Sequence, residues 1–154
     1  MKLIYGEGVG AEGSLSPGAS AIIFDHSRQM VLLTRRSDNG RWCLPGGSMD
    51  LGENVETTCI REVLEETGLH VQVTKLVGVY TSPDLVIEYA DGNRIQPFAC
   101  SFEAVVVGGE LRLSDETTDF GYFHVDELAT VDVMEHHLER IQDALANREE
   151  TLLK

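Results

Sequence analysis

A mixed α/β sandwich is the fold class that the sequence predicts. Runs of alternating or β-branched residues mark strands between positions 19 and 124. Two stretches of helical period lie within and after those strands, with little regular β–α–β alternation. At 154 residues the chain is predicted to be a single domain, 1–154, with enough length to bury a core. Its 42% apolar and 25% charged residues are ordinary for a globular protein.

Residues 1–18 read as an irregular N-terminal segment, because five glycines and Pro17 break any period. Positions 2–5 are the exception, a short candidate strand. Residues 19–25 read as a buried strand, 25–27 as a turn, and 30–36 as a second strand in a hairpin with the first. A turn at 37–40 and the segment Trp42-Cys43-Leu44 lead into Pro45-Gly46-Gly47.

The first helix follows. Val55, Cys59, Ile60, Val63 and Leu64 form an apolar stripe, Asn54 stands where an N-cap belongs, and Gly68 suits a left-handed C-terminal cap with Leu69 packing back. Residues 71–81 then read as a strand. Residues 86–89 and 94–107 read as a hairpin closed by Asp91-Gly92, and 119–124 as a last strand before a helical turn at 126–128. A C-terminal helix is predicted over 133–148, with Met134, Leu138, Ile141 and Leu145 on its apolar face and His136 and His137 on the surface.

Lys and Arg number 12 against 26 Asp and Glu, a net charge of −14. That balance argues against a nucleic-acid polymer as partner, since such binding neutralises phosphates with basic side chains. It does not exclude an anionic small molecule, because a bound cation reverses the local field. Cys43, Cys59 and Cys100 are odd in number and widely spaced, with no zinc-ligand pattern. No segment has the apolar length of a membrane span or the pattern of a signal peptide, so a cytoplasmic setting without membrane contact is expected.

Chemistry concentrates in residues 47–69. Glu62, Glu65 and Glu66 stand at i, i+3 and i+4 and are expected on one side of the first helix, where like charges repel by roughly 0.2–0.5 kcal/mol per pair. A solvated acidic face is the ordinary reading of such a cluster. Here the helix has a docking stripe, and a glycine-rich loop precedes it, whose backbone can approach a ligand closely. Together they suggest a divalent cation held by hard oxygen ligands.

Gly47, Glu53, Arg61-Glu62-Val63, Glu65-Glu66 and Gly68-Leu69 match every fixed position of the Nudix box, nine positions over 23 residues. The chain from about 20 to 128 resembles a whole Nudix domain. The resemblance implies a mixed β-sheet between α-helices, with Mg²⁺ or Mn²⁺ as cofactor. It implies that Glu62, Glu65 and Glu66 bind metal and act in catalysis, helped by a backbone carbonyl at Gly46-Gly47. Arg61 and Glu53 are expected to orient the site, Glu53 to touch metal in some members, and a purely structural Glu53–Arg61 ion pair is equally open. Members differ in whether the general base is a box glutamate or an acid on a distant loop. Glu116 is the chosen loop residue, ahead of Asp119 and Asp115, although an acidic turn on so acidic a chain is nearly as good a reading. Arg36 is a substrate-binding candidate that alternation separates from Arg35. Trp42 is read as core, while Tyr80, Tyr89 and Phe98 are either core or base-stacking.

The implied reaction splits a nucleoside diphosphate linked to another moiety X. ADP-ribose, a nucleotide sugar and a nucleoside triphosphate are all candidate substrates. Pro83, fourteen residues after Leu69, stands near a proline of ADP-ribose-cleaving members, whereas the length suits triphosphate-cleaving members better. Isopentenyl diphosphate isomerase, which shares the fold, has a degenerate box. Non-catalytic nucleotide-sensing Nudix domains usually lose box glutamates that are all present here. A homodimer is an assembly left open.

Overall fold

The computed structural model describes residues 1–154. Ten strands, two α-helices and two 3₁₀ turns follow in the order β1 (Lys2–Tyr5), a turn at Val9–Glu12, β2 (Ser14–Ile22), β3 (Met30–Arg36), β4 (Trp42–Cys43), β5 (Gly46–Ser48) and α1 (Val55–Thr67). Then come β6 (Leu69–Tyr80), β7 (Leu85–Glu88), β8 (Arg94–Gly109), β9 (Thr117–His124), a turn at Val125–Thr130, α2 (Glu135–Leu145) and β10 (Leu152–Leu153). They form the mixed α/β sandwich that the sequence predicts.

The long β8 organises a seven-stranded mixed sheet. Its residues 95–103 pair in parallel with β2, and its C-terminal part pairs antiparallel with β6 on the other edge. β5 continues the sheet beyond β2, β7 and β1 extend the opposite end, and β10 runs parallel to β6. A smaller sheet has the order β4-β3-β9.

Alternation along β2 serves two cores. Ala19, Ala21 and Ile23 pack with Cys59 and Val63 of α1, whereas Ile22 joins Val31, Leu33 and Leu44 against Ile141 and Ala144 of α2. The sheets therefore lie between the two helices. Trp42 meets Phe123 edge-to-face at 4.6 Å beside the second core, and Cys59 is fully buried in the first.

Four local expectations are corrected. Residues 2–5 form the strand expected, but β2 starts already at Ser14, because parallel pairing with β8 supplies hydrogen bonds that the glycine-rich sequence does not advertise. Residues 19–25 and 30–36 share only the Phe24–Val31 bridge and bonds at its rim. Both edges of β2 are taken by β8 and β5, so β3 turns into the other sheet with β4 and β9. The last helix stops at Leu145, short of 148, and Asn147 has φ 48°. His136 and His137 do not face solvent but line a cleft beneath α2 with Met134 and Arg140. Met134, Leu138 and Ile141 of the predicted apolar face do pack inward, joined by His137 and Ala144, while Leu145 is exposed.

Candidate active site

Local chemistry sets α1 in place. The Asn54 side chain accepts the Thr57 amide at 2.8 Å, and Gly68, at φ 77°, closes the helix by donating its amide to the Leu64 carbonyl. Docking of Cys59 and Val63 then fixes the rotation of the helix and turns Glu66 inward. Glu66 is 6% exposed and has no cationic partner; the Gly46 amide donates to its carboxylate at 3.0 Å. Burial is the main cause that pushes its pKa up to about 8, with the Glu62 charge adding and the Gly46 bond opposing.

Glu62, one turn earlier, lies against the same loop. A Cβ on Gly47 would stand 2.5 Å from the Glu62 carboxyl, so any larger residue there would displace that carboxyl. Burial also raises the Glu62 pKa, against the lowering effect of Arg61. The Gly47 carbonyl abuts Gly18 of β2, which leaves the Gly46 amide as the loop group that meets the acids.

Arg61 ties the outer acids together. Its Nε donates to Glu53 at 2.6 Å, and its Nη1 reaches Glu62 at 2.7 Å and Glu65 at 3.1 Å. Its Nη2 reaches the Ser48 carbonyl at 3.0 Å and Glu53 at 2.9 Å. Glu53 also accepts the Asp50 amide and the Thr58 hydroxyl, and the hydrogen bond from Arg61 is the leading cause that holds its pKa at about 2. Both carboxylate oxygens of Glu53 are thus engaged, and the Glu53–Arg61 ion pair read as one alternative is present.

The three helix acids do not share one face as their spacing suggests. Glu66 points inward, Glu62 lies beneath β5, and Glu65 is largely exposed. Adjacent helical positions diverge by about 100°, and Arg61 draws Glu62 and Glu65 toward itself. No three acidic, imidazole or thiol groups converge at metal-binding spacing. The donor set nevertheless suits a hard divalent cation: a buried carboxyl without a cationic partner, a second one beside it, and a backbone that admits no Cβ between them.

Glu65 and Glu66 share a cavity of about 190 Å³ with Ser114, Asp115 and Glu116. The loop before β9 therefore brings Glu116 to the box acids, whereas Asp119 pairs with Arg35 along β9 and does not line this cavity. Arg36 lines the cleft on the other side of β5 with Gly46, Gly47, Tyr89 and Phe98. Its Nε and Nη2 are clamped by Asp38, both at 2.8 Å. Arg35 turns away and donates to the Gly40 carbonyl, as alternation predicts. Tyr80 is buried and donates its hydroxyl to Asp143. Pro83 borders a cavity beneath α2. Arg140 was missed by the sequence reading and His137 was read as a surface residue; polar residues on the inward stripe of α2 were the available signal.

An acidic helix docked on a glycine loop, within a mixed sheet flanked by two helices, defines a class of α/β proteins with a carboxylate-rich cleft. Comparison makes the class specific. A family model for the NUDIX domain matches residues 14–144, and the chain belongs to that family. An ADP-ribose pyrophosphatase of Methanocaldococcus jannaschii is 38% identical over 101 residues, 64% of this chain and 56% of that protein. A MutT-like protein of Streptomyces ambofaciens is 38% identical over 115 residues, 75% of this chain and 68% of that one. The match thus spans little more than half the length of the archaeal relative.

Solved structures show the same fold. An ADP-ribose pyrophosphatase from Streptococcus suis superposes with a TM-score of 0.70 at 24% identity, covering 92% of this chain and 100% of that chain. A NUDIX hydrolase from Nitrosomonas europaea gives 0.73 at 20% identity, covering 92% and 79%.

Proposed function

We propose that the protein hydrolyses a phosphoanhydride bond in a nucleoside diphosphate linked to another moiety, using Mg²⁺ or Mn²⁺. The observation that carries this reading is Glu66, a buried carboxyl with no cationic partner, held by the Gly46 amide beside Glu62. Glu62, Glu65 and Glu66 would hold the cation, and the Gly46 amide would steady Glu66. The cation's chemistry there is to neutralise phosphate oxygens and to lower the pKa of an attacking water.

The chain's own residues do the rest. Arg61 orients Glu62 and Glu65, and Glu53 fixes Arg61, which makes Glu53 a positioning residue more than a ligand. Glu116, which borders the same cavity as Glu66, would accept the proton of the attacking water. Arg36 lines the cleft on the other side of β5, and its remaining guanidinium N–H groups would donate to a phosphate of the substrate.

The names of the relatives favour ADP-ribose and nucleoside triphosphates as the first substrates to try. No helix is long and apolar enough to cross a membrane. Three free, buried thiols suit the reducing cytoplasm we assign. The test is product release from a panel of nucleotide derivatives with Mg²⁺, with Mn²⁺ and with chelator. We expect at least one substrate to be cleaved, only with metal. Binding of a nucleotide with no product from any of them would support a sensing domain instead.

A further inference from the structure

Two buried side-chain nitrogens in the molecule have no hydrogen-bond partner, Arg140 Nε and His136 Nδ1. They sit one turn apart on α2 and border the same space. Both line the cleft beside Gly46 and Gly47, and both line a cavity of about 360 Å³ bounded by Tyr80, Pro83 and Lys154. Arg140 is only 4% exposed. Its one hydrogen bond runs from Nη1 to Ser20 Oγ at 3.4 Å, and its guanidinium lies 5.2 Å from the Tyr80 ring centre.

An unpaired buried cation is unfavourable, and it stands out in this chain. Arg28, Arg36, Arg41, Arg61 and Arg94 each form an ion pair with a carboxylate, and all are more exposed than Arg140. The acids nearest Arg140 are engaged elsewhere. Glu135 is held by Arg41, while Glu139 and Asp143 are held by Lys154. Burial lowers the Arg140 pKa only to about 10 and drives that of His136 to about 3. At neutral pH the wall therefore presents one cation and one neutral imidazole. On a protein of net charge −14, this wall offers a positive charge without a counter-ion.

We propose that Arg140 and His136 form an oxyanion subsite for a phosphate or carboxylate on the non-reacting half of the substrate. The assignment to substrate rests on the hydrolase reading above. Ser20, which accepts the bond from Arg140, is paired with Gly46 across β2 and β5, and the Gly46 amide holds Glu66. One strand thus separates the anion subsite from the box acids. A substrate gripped there would present its diphosphate across the glycine loop, with its far end beneath α2. The preferred moiety X is then one that carries an oxyanion of its own.

The test uses the whole protein in chelator, where no turnover occurs. Melting temperature is compared in sodium phosphate, sodium acetate and sodium chloride at matched ionic strength, for wild type, Arg140→Gln and Glu66→Gln. Wild type and Glu66→Gln should melt a few degrees higher in phosphate or acetate than in chloride, since the anion binds the folded state. Arg140→Gln should lose that increment. The larger of the two increments names the anion as phosphate or carboxylate. If Arg140→Gln fails to fold, His136→Gln keeps the guanidinium and should lose part of the increment. No increment in wild type, or the same increment in every variant, overturns the subsite. Neither outcome touches the hydrolase reading, which the metal-dependent panel tests separately.

Discussion

At the level of single residues, the proposed mechanism divides the chemistry between Glu66 and Glu116. Glu66 is buried and its pKa stands at about 8, so without a cation it is largely protonated at neutral pH. Glu116 is exposed on its loop and borders the same cavity. If it accepts the proton of the attacking water, Glu116→Gln should slow turnover roughly 10²–10⁴-fold with little change in metal affinity. Steady-state rates under Mg²⁺ titration measure both quantities, and an unaltered rate would return the base to a box glutamate. The imidazoles of α2 give a second residue-level expectation. His137 accepts the Leu44 amide at 3.2 Å, and burial among His136, Arg140 and Arg36 holds its pKa well below 6.5. His136 faces Arg140, Glu135, Arg41 and Arg36 and is held at about 3. A lowered folded-state value means that the unfolded chain binds more protons in acid. Stability is then complete above about pH 6.5 and falls as pH drops, by up to about 1.4 kcal/mol per pH unit for each imidazole. His137→Gln should flatten the slope of melting temperature between pH 7 and 5 relative to wild type. An unchanged slope would mean that His137 titrates normally.

At the level of elements, α1 and β5 owe their positions to two glycines with different duties. Gly68 caps α1 at a positive φ, and a Cβ there would meet the Glu110 carbonyl and the Arg112 side chain. Gly68→Ala should cost about 1–2 kcal/mol from the left-handed backbone alone, with the clash adding to it. Gly47 is needed for approach, since a Cβ would press on the Glu62 carboxyl. Gly47→Ala should therefore lower turnover more than tenfold while costing less stability than Gly68→Ala. Parallel denaturant melts and rates would show the reverse order if Gly47 served only the fold. The sequence made α1 readable because its cap, stripe and motif are all local. It did not reveal that Glu65 departs from Glu66, because Arg61 and the docking of Val63 decide that. The inward turn of His137 and Arg140 was hidden because Met134, Leu138 and Ile141 already supply an apolar stripe, so their polar neighbours read as surface.

For the whole molecule, the two-core sandwich was legible from alternating strands and two periodic helices, but the sheet partition was not. Residues 30–36 follow 19–25 across a short turn, and local sequence favours a hairpin. The distant β8 and the short β5 take the two edges of β2, one of which such a hairpin needs. The pairing of β2 with β5 places Ser20, Gly46 and Glu66 in a row beside the cleft. The central claim is that this cleft hydrolyses a diphosphate with a cation held by the α1 acids. Its most direct test is the rate of nucleoside monophosphate release by wild type and Glu66→Gln across a Mg²⁺ titration. The reading predicts saturable, chelator-sensitive release by wild type and a rate lower by orders of magnitude for Glu66→Gln, with both proteins folded in chelator. Equal rates and equal Mg²⁺ dependence in the two proteins would contradict it.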